Sequence, residues 1–323
     1  MTQSNSTQQS WGRFDFLGIS TPIAATTIAV VFLALILIAT KGFNYGVDFA
    51  GGIELQVHFN QPVEAAQVRQ FMETSGFPHA SVQALGGKNE YLVHIDSPKD
   101  ASDEQVNNFI KVTVEKLKAD LAAKFATEGA DVRRVDTVGP QVGAELKRNG
   151  ILAAFYCFLL ILVYIGLRFD YRYAPAAVFC LFHDAVITCG IYSLFGWEFT
   201  VQTLAAVLTI IGYSLNDTIV IFDRIRENTG IHRDKNLYWI SNRSINETLS
   251  RTILTFFTTL MTVVAMFIFA DGAIKDFARA MMIGMCLGVF STVYVATPLM
   301  LLADRYQKYK RQRAQAVAYS GGK

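Results

Sequence analysis

The chain has 323 residues, of which 52% are apolar and only 17% charged. Soluble domains carry about 25% charged residues, and the mean hydropathy here is +0.29. These values disfavour an ordinary soluble enzyme and exclude a disordered or collagen-like chain. The net charge of +2 is nearly balanced, so its distribution says more than its sum.

A helix needs about 18 or more apolar residues to cross ~30 Å of hydrocarbon. Six stretches qualify: 21–40, 150–168, 174–195, 200–222, 252–270 and 279–302. The first follows a polar tail, 1–20, in which Arg13 is the one cation. Its apolar core is too long for a signal peptide, and no A-x-A site precedes Lys41. An uncleaved anchor is expected.

Gly46-Val47-Asp48-Phe49-Ala50-Gly51-Gly52 follows this span. It lacks the spacing of a phosphate loop, and it precedes a strand pattern rather than a helix. Its glycines permit positive φ and a tight reversal. Two roles fit Gly46, Asp48, Gly51 and Gly52: a turn that starts a sheet, and a hinge.

Residues 41–149 are enough for one core. Ile53 to Phe59 alternates apolar and polar, the mark of a half-buried strand. Val63 to Ser75 reads as a helix, stopped by Gly76 and Pro78. Ala80–Leu85 and Tyr91–Ile95 read as strands about a Gly86-Gly87-Lys88-Asn89 turn. Residues 103–126 form an amphipathic helix, and Asp131–Val138 a last strand. The order β-α-β-β-α-β predicts an α+β, ferredoxin-like domain. His58, His79 and His94 lack ligand spacing. Cys157, Cys180, Cys189 and Cys286 all lie in apolar runs outside this region. No disulfide, metal or cofactor is expected.

Lys and Arg in short loops set orientation. The 223–251 loop carries Arg224, Arg226, Arg233, Lys235, Arg243 and Arg251. The tail, 303–323, carries Arg305, Lys308, Lys310, Arg311, Arg313 and Lys323, and the turn after the second span carries Arg168 and Arg172. The opposite turns hold only Glu198, and Lys275 beside Asp271 and Asp276. Both termini are therefore expected in the cytoplasm and 41–149 outside. Lys147 and Arg148 run against this, but large domains translocate largely regardless of charge. The basic tail follows a span directly, so orientation explains it and no nucleic-acid partner is expected.

Ionisable groups inside spans are costly and become functional candidates. His183 and Asp184 sit in the third span and Asp217 in the fourth, within Gly212-Tyr213-Ser214-Leu215-Asn216-Asp217-Thr218. Arg251 opens the fifth span and is a plausible partner for Asp217. That pair fits either a proton-coupled switch or a static ion pair. Residues 183 and 184 point about 100° apart along a helix and are expected to face different partners. Thr248, Thr252, Thr255, Thr259 and Thr262 form one helical stripe. It fits helix packing, or a hydroxyl-lined path for water or protons. Ser244 and Glu247 have capping-box spacing and predict a helix start there. No HExxH, GxSxG or nucleophile–base pair is present, so no enzyme is expected.

Gly46–Gly52 resembles the G-x-D-F-x-G-G signature of the SecD/SecF family of protein-export membrane proteins. Val138-Gly139-Pro140-Gln141-Val142-Gly143 resembles its V-G-P-x-V-G motif. Gly212–Val220 with Asp223-Arg224-Ile225-Arg226-Glu227-Asn228 is similar to the SecF branch, as is the single small external domain. The resemblance covers about 14–305. It implies a bacterial inner-membrane subunit paired with SecD, associated with the SecYEG channel and YajC. Such a unit uses protons as coupling ion to promote late, SecA-ATP-independent export of preproteins. It implies that Asp217 and Arg251 belong to a proton path, to which Asn216, Asp184, His183, Thr255 and Thr259 are the neighbouring candidates. The alternative is half of a proton-driven resistance–nodulation–division exporter of small molecules or lipids. Membrane lipids surround either.

The charge pattern sets a test. A reporter active only outside the membrane is expected to be active when fused after Asn89 and silent after Asn236. Activity at Asn236 reverses the orientation.

Overall fold

A computed structural model describes residues 14–85, 89–98, 103–168 and 173–320. The expected turn at Gly86–Lys88, the cations Arg13, Arg172 and Lys323, and the side chain of Arg311 lie outside the described residues. The chain divides into two compact units.

The αβ unit comprises residues 44–153 with 198–201. Its main sheet contains β2 (Gly52–Phe59), β3 (Ser81–Ala84), β4 (Glu90–Ile95) and β5 (Ala130–Val138). The order is β3-β4-β2-β5, with every neighbour antiparallel. Helices α3 (Ala65–Thr74) and α4 (Asp103–Lys124) supply the two connections of the ferredoxin-like pattern. Period-2 alternation sends Ile53, Leu55, Val57 and Phe59 to one face, all fully buried. They pack with Val68, Phe71 and Met72 of α3 and Leu117 and Leu121 of α4. Phe125 joins the layers, its ring 5.1 Å from Phe59 and 5.6 Å from Phe71. A capping box between Glu64 and Gln67 starts α3, and Gly76, at φ 98°, follows its end.

Two small elements were not legible beforehand. β1 (Asn44–Tyr45) pairs in parallel with β6 (Glu198–Phe199). Strands of two residues show no periodicity to read. Residues Val47–Ala50, expected as part of a turn, form a single helical turn, α2.

The helical unit comprises the chain up to Phe43, residues 154–197, and residues from 202 onward. Six helices or helix pairs are long and apolar enough to cross a membrane. They are α1 (Ser20–Lys41), α5 (Pro140–Arg168), α6 (Ala174–Phe195), α7 (Val201–Ile231), α8 (Leu237–Phe269) and the pair α9 (Gly272–Ser291) and α10 (Thr297–Ser320). A π-turn, Thr292–Ala296, joins that pair. The chain is thus a multi-pass membrane protein with one α+β domain.

The 223–251 segment is mostly helix rather than loop, because α7 continues to Ile231 and α8 starts at Leu237. Asn236 caps α8, accepting the Trp239 amide at 2.8 Å. The capping box read at Ser244 is corrected. Ser244 lies inside α8 and donates to the Ile240 carbonyl at 2.8 Å. Glu247 instead takes Arg224, Asn228 and Arg243. Side-chain donors 19 and 23 residues away, the amide of Asn228 and the guanidinium of Arg224, take this carboxylate in place of the local cap.

Helices α6, α7 and α9 form the interior. Gly190 of α6 faces Ala34 of α1, where a Cβ would stand 2.5 Å from the alanine Cβ. By contrast α1, α5 and α8 keep large apolar side chains exposed, among them Phe32, Leu160 and Met261. Such faces need lipid or another protein against them.

The fragment Gly52–Val138 is expected to fold alone without metal or reductant. Leu117→Ala is expected to cost it about 2–5 kcal/mol. Urea unfolding followed by circular dichroism checks both; a fragment unfolded until zinc is added overturns the first.

Candidate functional site

The glycine-rich segment is built from backbone contacts. Gly51 has φ 72° and Gly52 φ 129°, conformations that disfavour side-chain-bearing residues. A Cβ on Gly51 would lie 3.0 Å from Pro140 Cα. One on Gly143 would lie 3.1 Å from the Gly51 nitrogen. The two glycine motifs thus interlock through their main chains. Gly46 is extended and caps α2. Asp48 Oδ2 accepts the Val201 amide at 3.0 Å, and Phe49 stacks on Phe199 at 6.2 Å. All four signature residues therefore sit in one packed element.

Glu54 lies beside this element on β2, opposite His94 of β4 and Asp136 of β5. Burial pushes its carboxyl up to about 8, with help from Glu198, which hydrogen-bonds it, and from Asp136. Arg134 opposes that shift but is ion-paired with Asp136.

In the helical unit, Asp217 of α7 is buried and faces α8. Thr252 Oγ1 donates to its Oδ1 at 2.8 Å, and its Oδ2 is buried without a partner. Arg251 is near enough to act on Asp217 electrostatically. Among the described residues it makes no ion pair with it, and it is exposed. Tyr213, one turn before Asp217, meets Thr259. The structure therefore joins Asp217, Thr252 and Arg251 at one α7–α8 seam, with Thr259 further along it. Asn216 points elsewhere and is exposed.

The threonine stripe largely satisfies itself. Thr255 donates to the Arg251 carbonyl at 2.9 Å and Thr259 to the Thr255 carbonyl at 2.9 Å. Thr248 and Thr262 also bond their own helix. Thr252 donates its hydroxyl across to Asp217 of α7, and Thr259 also meets Tyr213 there.

His183 and Asp184 turn toward each other despite their adjacency, with Nδ1 and Oδ1 2.9 Å apart. Both are fully buried. Asp184 Oδ2 accepts Ser214 Oγ of α7 at 2.6 Å and Ser291 Oγ of α9 at 2.9 Å. Cys180 donates to Ser291. Thr218 and Thr292 meet at 3.2 Å beside the π-turn. Sequence reasoning missed Ser214, Ser291 and Thr292. One signal was present: Gly284 and Gly288 have the small-xxx-small spacing of close helix contacts. Among the described residues, no three His, Cys, Asp or Glu side chains converge as a metal set.

Two family models match the chain. Residues 118–306 match "Protein export membrane protein SecD/SecF, C-terminal", and residues 36–63 match the "SecD/SecF GG Motif". Protein translocase subunit SecF of Desulfurispirillum indicum is 40% identical over 88% of this chain and 90% of its own length. That of Magnetococcus marinus is 40% identical over 90% and 92%. The crystal structure of SecDF from Thermus thermophilus, a translocon-associated membrane protein, superposes with TM-score 0.79 at 38% identity. It covers 91% of this chain and 39% of that longer one. SecDF in a super-membrane-facing form gives 0.65 at 38% identity, with 94% and 40% covered.

Glu54 gives a pH test. The native carboxyl keeps its proton up to about pH 8, while the unfolded chain releases it near its ordinary 4.5. Native stability is therefore fully present below pH 4.5 and falls as the pH rises from there to about 8. Hydrogen exchange at β2 amides, corrected for intrinsic rates, is expected to show protection falling across that window. Glu54→Gln is expected to remove the fall.

Proposed function

The chain belongs to the SecD/SecF family of protein-export membrane proteins, and on that basis we propose that it is the SecF half of a proton-driven export accessory. It pairs with a SecD partner. It works with the SecYEG channel and YajC in the bacterial inner membrane and acts on translocating preproteins after the ATP-driven motor SecA has started them. It performs no covalent chemistry of its own. Both termini are cytoplasmic and the αβ unit stands outside. The cations of 224–251 and of the C-terminal tail support that orientation.

The observation that carries this reading is Asp217. A carboxyl inside a span must be neutral or have partners. One oxygen of Asp217 is held by Thr252 and the other is free of any donor. That half-satisfied state suits a group that alternates between protonated and ionised forms. A proton crossing the membrane releases about 2.3 kcal/mol per 100 mV. Arg251, exposed and within electrostatic reach, lowers the cost of the ionised form when it approaches and restores it when it withdraws. Thr252, Thr255 and Thr259 line the seam along which the proton travels.

Two further features support a partner and a moving part. The outward faces of α1, α5 and α8 are apolar and uncovered in the single chain. The Thermus protein carries, in one longer chain, the segment this chain matches. Two solved SecDF structures, one of them in a super-membrane-facing form, match with TM-scores of 0.79 and 0.65, which supports a fold that changes arrangement. In this reading, Gly51 and Gly52 with the 139–143 segment are the joint at which that change is made.

Asp217→Asn is nearly isosteric and mimics the protonated state. It is expected to leave insertion and SecD pairing intact while gradient-dependent export in vesicles falls to the level without the protein. Asp217→Glu keeps part of the activity, and Arg251→Lys keeps charge but loses the planar fork. Full gradient-dependent export by the asparagine variant makes the carboxyl structural.

A further inference from the structure

Helix α7 presents two adjacent polar stripes. Tyr213 and Asp217, four residues apart, face α8 through Thr259 and Thr252. Ser214 and Thr218, each one residue later, are rotated by about 100°. They face α6 and α9 through Asp184 and Thr292. The helix is rigid over one turn, so whatever fixes the second stripe also fixes the first.

Asp184 is built to fix it. Its side chain is wholly buried. One oxygen accepts hydroxyls from two other helices, Ser214 at 2.6 Å and Ser291 at 2.9 Å, and the other meets His183 at 2.9 Å. Glycines bring α9 against the same stretch. A Cβ on Gly288 would stand 3.2 Å from Ser214 Cβ, and one on Gly284 would overlap Ile210. A carboxylate with every side engaged by donors from fixed helices acts as a joint. Asp217, with one oxygen unengaged, is its opposite.

We propose that Asp184 is a positioning residue for Asp217: by holding Ser214 it sets the rotation of α7 that presents Asp217 to Thr252. This rests on the reading of Asp217 as the proton carrier. The titratable groups facing Asp217 are Arg251 of α8 and Tyr213 of its own helix. Those on the Asp184 side are His183 and Cys180.

Two readouts on the full chain in lipid nanodiscs test it. The first is the infrared titration of the Asp217 carboxyl band, assigned by its loss in Asp217→Asn. The second is disulfide cross-linking between cysteines placed at Tyr213 and Thr259, which reports α7 rotation with no reference to protons. Ser214→Ala and Asp184→Ala are each expected to move the titration midpoint by about one pH unit or more and to slow cross-linking several-fold. Asp184→Asn retains an acceptor oxygen for both serines, so it is expected to stay near native in both. If Ser214→Ala leaves both readouts unchanged, the proposal is wrong. It is equally wrong if Asp184→Asn shifts the midpoint as far as Asp184→Ala, since Asp184 would then act by charge. If Asp184→Ala does not fold, Ser214→Ala decides alone. If the native band fails to titrate between about pH 4 and pH 10, the carrier reading falls, and cross-linking still decides the positioning.

Discussion

Removing a carboxyl group from water costs several kcal/mol unless donors or a proton replace the water. Two carboxyls in the helical unit meet that constraint in different ways. Asp184 has donors from its own helix, α7 and α9. Asp217 has one donor, Thr252, and one bare oxygen. The arrangement of α6, α7 and α9 follows from the first. Serines must reach Asp184, glycines must let the helices approach, and the π-turn must place Thr292 against Thr218. An apolar residue at position 184 would have needed none of these.

The αβ unit obeys a different constraint, that of backbone meeting backbone. Gly51 and Gly143 touch through main-chain atoms, and a methyl group on either would be at the limit of contact. This gives a physical reason for pairing the two glycine motifs, which are about ninety residues apart. Asp48 completes the element by accepting the Val201 amide, and Phe49 by stacking on Phe199. A segment so tightly packed changes shape only as a unit, which favours discrete arrangements over continuous bending.

The sheet was readable because its signal is local. Ile53, Leu55, Val57 and Phe59 alternate within one strand, and Val68, Phe71 and Met72 recur at helical spacing. Asp217 was also legible, since a charge inside an apolar run stands out by itself. Its true contact was not, because Thr252 and Arg251 are adjacent in sequence and only geometry shows which one reaches it. The capping box misled for the same reason. Ser244 and Glu247 have the right spacing, but distant arginines and Asn228 claim the glutamate. The partners of Asp184 lie 30 and 107 residues away. Serines are too common in membrane helices to be read as a carboxylate cage without the fold.

The one-residue offset along α7 ties these observations together. A helix that carried its carrier carboxyl and its anchor on the same stripe would have to break one contact to move the other. Placed on adjacent stripes, Tyr213 and Asp217 are free to exchange partners with α8 while Ser214 and Thr218 stay bonded to α6 and α9. The lipid-exposed surface of α8 fits this division. Beyond Thr252 few of its side chains are buried, and most of its threonine hydroxyls are satisfied within the helix. A shift of its membrane half would break the Thr252–Asp217 and Tyr213–Thr259 contacts, while Arg224 and Asn228 of α7 hold Glu247 and Ser244 nearer its start. The mobile side of the seam is then the membrane half of α8 beyond Arg251, and the fixed side is α7, held through Ser214 by the buried Asp184.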